Sequence, residues 1–340
     1  MFWPQGALSH ETLTTTVLFD REIVRILDKH CVMCHFENGP SFPLETYEQT
    51  WVQARKIRAL VIARQMPPWS AFPGYGHFVN DNGLTLRETQ FIVSWVEGSG
   101  PRNAGTVFTN TADPNALRRT EVRAHTDVGH WELGEPQLNL ALTTSSVVDT
   151  GLKSERRVRA VEYMPGDRRD VHAAFFKVQE TGQWIGAWTP WYSYISLPKG
   201  SAWLLPAGSH IVAEILSSTG NTKAKAGQGT LGLFFADQPS PKPVSDLVLE
   251  AKGEVPAGAP AQKFRAVTRL TAETHILALR PDAMPGITSI EVSARKPDGG
   301  TTVLLFARDF QMDWPTPYIF KEPVALPSAV VVDTLHRQRS

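Results

Sequence analysis

The chain has 340 residues, 42 % of them hydrophobic and 20 % charged, with a formal net charge of zero at pH 7. That is enough apolar material for sizeable cores spread over two or three domains. The balanced charge excludes a nucleic-acid binder that works by electrostatics and a surface broadly drawn to membranes, and no stretch approaches the roughly 18 apolar residues of a membrane span.

In chain order, residues 1–15 carry no periodic pattern and read as an arm. Met1-Phe2-Trp3-Pro4-Gln5-Gly6 has no basic n-region and no long apolar h-region, so it does not read as a signal peptide. A helix is expected from about Asp20, a suitable N-cap, with Phe19, Ile23, Ile26 and Leu27 on one apolar face.

The helix leads into Cys31-Val32-Met33-Cys34-His35, which holds the only two cysteines of the chain. Cys-x-x-Cys-His is the attachment signature for a c-type haem. Two thiols one helical turn apart can each add to a vinyl group of one haem, which leaves the next residue under the iron. Cys31 and Cys34 are therefore read as the attachment residues and His35 as the proximal iron ligand. A zinc ribbon needs a second pair of ligands, and no further Cys exists to supply it. A thioredoxin-like motif needs a βαβ context that is missing here. Covalent haem is attached outside the cytoplasmic membrane, so the expected location is the periplasm or the extracytoplasmic face of a bacterial membrane. Export then uses a signal upstream of the first residue or another route. The lack of any other Cys fits an oxidising compartment.

Asn38-Gly39-Pro40-Ser41 breaks the chain. A second helix is expected over about 44–64, with Tyr47, Trp51, Ala54, Ile57 and Val61 on its buried side. It ends at Met66-Pro67-Pro68-Trp69, where two prolines stiffen the loop. Met66 is the candidate distal iron ligand, since His/Met ligation raises the haem potential and suits electron transfer; the alternative role for it is core filler. His77, in Gly74-Tyr75-Gly76-His77-Phe78, is the alternative distal ligand, or else a hydrogen-bonded loop residue. Thr85-Leu86-Arg87-Glu88 is a capping box for a third helix carrying Ile92, Trp95 and Val96, closed by Gly98-Ser99-Gly100-Pro101. Residues 16–104 thus make a small helical haem domain. Arg55, Lys56, Arg58 and Arg64 form either a basic docking edge or a solvated face.

Residues 105–128 are polar and read as a linker. After them, short apolar alternations recur between Gly/Pro turns, as in an all-β domain. Strands are expected over 137–142, 157–163, 171–178, 203–205, 211–216 and 231–235. A second set covers 263–270, 275–279, 289–294, 302–306, 318–320 and 330–334. Pro239-Ser240-Pro241-Lys242-Pro243 marks the boundary, and Pro297-Asp298-Gly299-Gly300 is a hairpin turn. The fold class is therefore multi-domain α plus all-β, with two tandem β-sandwich or jelly-roll modules at 129–240 and 241–340. Trp184, Trp188, Trp191, Tyr192 and Tyr194 read as an aromatic loop, either a partner surface or packing. Asp167-Arg168-Arg169-Asp170 reads as a mixed-charge turn, and no catalytic residue is assigned.

The first hundred residues resemble the bacterial cytochrome c domains that precede monooxygenase-like β modules. The resemblance rests on Phe19-Asp20, Ile26-Leu27, residues 31–35, Met66-Pro67-Pro68-Trp69, Tyr75-Gly76-His77-Phe78 and Trp95-Val96. It implies Met66 as distal ligand. The remainder is similar to the copper type II ascorbate-dependent monooxygenases of the peptidylglycine hydroxylating type, through Val158-Arg159-Ala160-Val161-Glu162, Met164-Pro165-Gly166, Val171-His172 and Leu204-Leu205-Pro206-Ala207-Gly208-Ser209. Further matches are Lys296-Pro297-Asp298-Gly299, Asp309-Phe310, Trp314, Pro323 and Leu326-Pro327. That family holds one copper in each of two jelly rolls, the first by a His-His pair and a later His, the second by a Pro-His-Met-His segment. Here those positions read His172-Ala173, Leu216 and Pro281-Asp282-Ala283-Met284. A mononuclear copper site needs about three good ligands, so copper is not expected. His172 is read as a satisfied core residue, with His210 the nearest other histidine in sequence.

The expected function is a monohaem c-type cytochrome that passes electrons to a redox partner protein or membrane-bound redox complex, with copper-less β modules for docking and one haem c as cofactor. The alternatives are an accessory or scaffold subunit of a larger respiratory or photosynthetic membrane complex, and, disfavoured, a copper-dependent monooxygenase. An electron carrier or accessory subunit is expected rather than a catalyst.

Overall fold

The computed structural model describes residues 15–103, 130–142, 147–169, 171–217, 229–237, 242–250, 253, 261–281, 286–310 and 314–338. The expected arm (except residue 15), the linker 105–128, Asp170 and residues 282–284 lie outside them.

Two compact units emerge. One takes the chain up to Pro67 and resumes at Leu84; the other takes Pro68–Gly83 together with the strands. The helical unit begins with a π-helical turn, Phe19–Ile23, running directly into α1, Val24–His30. Asp20 was expected to cap this helix, but the N-cap is Leu18, two residues earlier. Phe19 and Asp20 donate their N–H groups to the carbonyls of Pro101 (3.0 Å) and Arg102 (3.1 Å), which fixes the entry of the chain, and Glu22 accepts the N–H of Leu18 at 2.9 Å. α2 spans Tyr47–Ile62 and α3 spans Leu86–Glu97, each started by a complete capping box, Thr46 with Gln49 and Thr85 with Glu88. α2 ends in a Schellman motif: Gln65 donates to Leu60 O (2.8 Å) and Arg64, at φ 55°, to Val61 O (3.1 Å).

Phe19, Ile23, Leu27, Ala54, Ile57, Ile92 and Trp95 form the core of this unit together with Val32 of the cysteine motif. The apolar periodicity of the sequence put these residues inside because they recur at helical spacing. Trp51 is the exception on the predicted buried face: it stays 39 % exposed, with its ring edge-on to Trp95 at 5.6 Å.

Among the described residues the strands build four sheets. β1 (Leu138–Leu142), β9 (Gly229–Phe235), β3 (Arg156–Pro165), β7 (Ser201–Leu205) and β10 (Lys242–Pro243) lie in that order, with β6 (Tyr194–Ser196) also on β3. β2 (Val147–Asp149), β8 (His210–Ser217), β4 (Val171–Val178) and β5 (Trp184–Trp188) make the second sheet. Val158, Val161, Tyr163 and Leu233 from the first interdigitate with Phe176, Ile185, Trp188 and Ile211 from the second, so the two sheets pack as a sandwich. Tyr163 stands 5.2 Å from Phe176 across the interface. Strand β5 passes so close to β3 that a Cβ on Gly186 would lie 2.2 Å from Val161 Cγ2.

The remaining strands form a sheet in the order β11 (Gln262–Arg269), β16 (Val331–Gln338), β13 (Ile287–Arg295), β14 (Thr301–Arg308), and a pair, β12 (Thr274–Leu279) with β15 (Tyr318–Leu326). Leu305, Ala307, Ile290, Tyr318, Phe320 and Val332 share one core. Trp69 and Ala71 belong to that core too. The Pro68–Gly83 segment is a strap across two strand edges. Arg308 donates to Ser70 O (3.0 Å) and Phe72 to Phe306 O (2.8 Å), on β14. Val79 donates to Ile319 O (2.8 Å) and Lys321 to His77 O (2.8 Å), on β15. Asn80 is buried; its side chain donates to Pro317 O (2.7 Å) and accepts from Ile319 N–H (3.1 Å). Gly76 makes the bend, at φ 75°, where a Cβ would meet Leu304 O at 2.5 Å.

Candidate functional site

The cysteine motif continues the hydrogen bonding of α1 as a tight turn. Cys31 N–H and Val32 N–H both donate to Leu27 O, at 2.9 and 3.0 Å, and then Cys34 and His35 donate to Cys31 O, at 3.1 and 3.0 Å. Val32 points into the core while Cys34 is buried and Cys31 half-buried. Neither thiol is in a disulfide. Burial, and secondarily the Glu88 carboxylate, push the Cys31 thiol up to about 12. It is therefore held as S–H.

His35 is held by the loop that follows. Its Nδ1 lies 2.9 Å from Phe42 O, its carbonyl accepts the Leu44 N–H at 2.9 Å, and its ring sits 4.7 Å from the Phe42 ring. A carbonyl can only accept, so Nδ1 carries the proton and Nε2 keeps its lone pair. Burial holds the imidazole below its ordinary pKa, which the Phe42 carbonyl opposes and the Lys56 charge reinforces. A neutral imidazole with a second-shell carbonyl on Nδ1 is the state in which histidine binds a metal through Nε2. Phe42 escaped the sequence reading. Its signal was Pro43, which restricts the preceding residue to extended geometry.

The motif is braced from α3. Glu88, at N3 of that helix, accepts from the Thr85 N–H and hydroxyl (both 2.8 Å), and its Oε1 lies 3.3 Å from His30 Nε2 and 3.2 Å from Lys29 Nζ. Burial alone would raise its pKa, but these partners outweigh burial and draw it down to about 2.

Among the described residues no group of three or more His, Cys, Asp or Glu is placed to hold a metal ion. A haem makes a smaller demand on the chain, because the porphyrin supplies four of the six iron ligands and the protein at most two. The donor set of 31–35 fits that demand: two thiols on one turn and a neutral imidazole with Nε2 free.

No family model and no curated protein matches this chain. Among solved structures, oxalate decarboxylase from Bacillus subtilis at pH 4.6 aligns at 10 % identity over 63 % of this chain and 74 % of its own, with a TM-score of 0.13. A structure of PNGF-II aligns at 9 % identity over 62 % and 59 %, with a TM-score of 0.16. Likeness at this level carries no conclusion about fold or activity.

Met66 follows the Schellman motif of α2, with its N–H 3.4 Å from Leu60 O, in the same unit as 31–35. His77 belongs to the strap in the other unit, exposed, its backbone carbonyl paired with β15. Of the basic residues on α2, Arg58 is paired with Glu97 of α3 (Nε to Oε1, 3.0 Å) and Lys56 Nζ sits 4.7 Å over the Phe42 ring. They do not form one uniform edge.

In the sandwich, Ala173 is in register with Leu216, so the two positions matched to the first copper site do adjoin. His172 stacks on Trp314 at 4.1 Å and 17°. His210 is at the far end of β8, in register with Asp149 and 2.8 Å from Glu180, about 20 Å along the strand from Leu216 at roughly 3.3 Å per residue. The expected aromatic loop is a correction: Trp184–Trp188 is a strand and Tyr194–Ser196 another, with Trp188 buried between the sheets. Gly186 and the burial of four of its five residues erased the alternation that marks a strand. Arg169 pairs with Asp167 (Nε to Oδ1, 2.8 Å), while Arg168 reaches Pro190 O at 2.8 Å.

Proposed function

We propose that this chain is a monohaem c-type electron carrier working outside the cytoplasm, with the helical unit as its cytochrome domain and the strand-rich unit as its docking platform. The observation that carries the reading is His35: a half-buried imidazole, held below its ordinary pKa, whose Nδ1–H is committed to Phe42 O, one residue after two thiols on a single turn. When bound, the haem supplies a one-electron iron couple. Cys31 and Cys34 would hold it covalently through their sulfurs, which the turn brings to one stretch of chain. Phe42 fixes the orientation of His35. Glu88 locks the turn against α3 through His30 and Lys29. Met66 would supply the second protein ligand to the iron, supported by its place in the helical unit; His77 sits in the strap. The electron comes from a reduced donor protein and passes to an oxidised acceptor, with no other bond made or broken.

Three measurements test this. The full chain, expressed with a periplasmic leader and haem-attachment machinery, gives a pyridine haemochrome spectrum of the two-thioether type at one haem per chain; absence of bound haem overturns the reading. Met66→Ala removes the weak near-infrared Met–iron band, whereas His77→Ala leaves it. Recovery of the chain only within a large complex from native membranes would instead assign the β unit to scaffolding.

A further inference from the structure

The sequence placed Lys56 in a surface edge with Arg55, Arg58 and Arg64; the structure separates it from them. Arg58 is engaged by Glu97 and Arg64 forms the left-handed turn that ends α2. Lys56 instead reaches over the Phe42 ring, with Nζ 4.7 Å from its centroid. The same ring also stands 4.7 Å from the His35 imidazole, and the backbone of Phe42 accepts the His35 Nδ1–H at 2.9 Å. Lys56, Phe42 and His35 thus form a short relay: an ammonium, an aromatic ring and an imidazole, with only the imidazole positioned to meet iron.

We propose that Lys56 is a positioning residue that sets the reduction potential of the haem from the proximal side. The inference rests on the proposed His35 ligation. Two effects act in the same relay. The cation–π contact holds the Phe42 ring, and with it the carbonyl that orients His35. The fixed positive charge opposes the extra positive charge that the iron–histidine group gains each time an electron leaves, so the reduced form is favoured. Lys56 is solvent-exposed, so the effect is partly screened and fades as the Debye length falls from about 10 Å at 0.1 M salt to about 3 Å at 1 M.

The test is potentiometric titration of the full haem-loaded chain at low and at high salt, for Lys56→Arg, Lys56→Gln and Lys56→Glu. The expected result is a potential close to the parent for Arg, lower for Gln and lower again for Glu. These gaps shrink at 1 M salt, while the visible spectrum and the near-infrared band stay unchanged. Equal potentials for all four proteins at low salt overturn the proposal while leaving the haem assignment intact. So does a salt-independent drop accompanied by a changed spectrum, which assigns Lys56 to packing alone. A parent chain that binds no haem overturns both.

Discussion

Glu88 ties the helix before the cysteine motif to α3. It closes the capping box of α3 and reaches His30 and Lys29 on α1. Its folded-state pKa is depressed from 4.5 to about 2. Its contribution to stability is therefore present above about pH 4.5 and is lost as the pH falls toward about 2. Glu88→Gln keeps a capping side chain but removes the charge, so acid unfolding followed by circular dichroism loses steepness in that interval. Glu88→Ala removes the cap as well and lowers stability at neutral pH by about 1 kcal/mol. The capping box was legible in four consecutive residues because its chemistry is local. The His30 and Lys29 contacts were not, since they join positions nearly 60 residues apart. In the sandwich, Gly186→Ala brings a methyl against Val161 and is expected to cost about 1–3 kcal/mol in urea unfolding.

At the scale of elements, helices α1 to α3 and most long strands followed the pattern of the chain, since each carries its own apolar period. Val171–Val178 is the clearest case, read with the same ends in sequence and structure. Short strands such as Val147–Asp149 and Lys242–Pro243 exist because a neighbour offers them an edge, which no local signal announces. The strap is the largest gap. Trp69, Phe72, Tyr75 and Phe78 read as part of the helical domain because they lie between its helices in sequence. Their partners are Phe306, Tyr318 and Phe320, with ring centroids at 5.1–5.7 Å. The strap covers the open edges of β14 and β15, so those strands offer fewer free N–H and C=O groups to another chain. Asn80→Ala leaves the Pro317 carbonyl and the Ile319 N–H unpaired, and a loss of about 2–3 kcal/mol in the unfolding of the strand-rich unit is expected. Trp69→Ala is expected to cost about 3–5 kcal/mol there.

On the scale of the whole chain, the strap makes the helical unit discontinuous: the path leaves it after Pro67 and returns at Leu84. A fragment covering 15–103 therefore contains every helix found among the described residues but leaves Trp69, Phe72, Tyr75 and Phe78 without their strands. It is expected to bind a dye that reports exposed apolar surface and to be cut by proteases within 68–83, whereas the full chain resists both. Synthesis runs from the N-terminus, so α1, the strap and α3 all exist well before β14 and β15. At about 5–20 residues per second, the strap waits on the order of ten seconds or more for its partners. Asn80 meets Pro317 across 237 residues of sequence. A product cut short before Thr301 can still form its helices but cannot close the strap. Such a shortened chain is therefore expected to be cut by protease within 68–83, between two helices, where the chain with β14 and β15 in place is not.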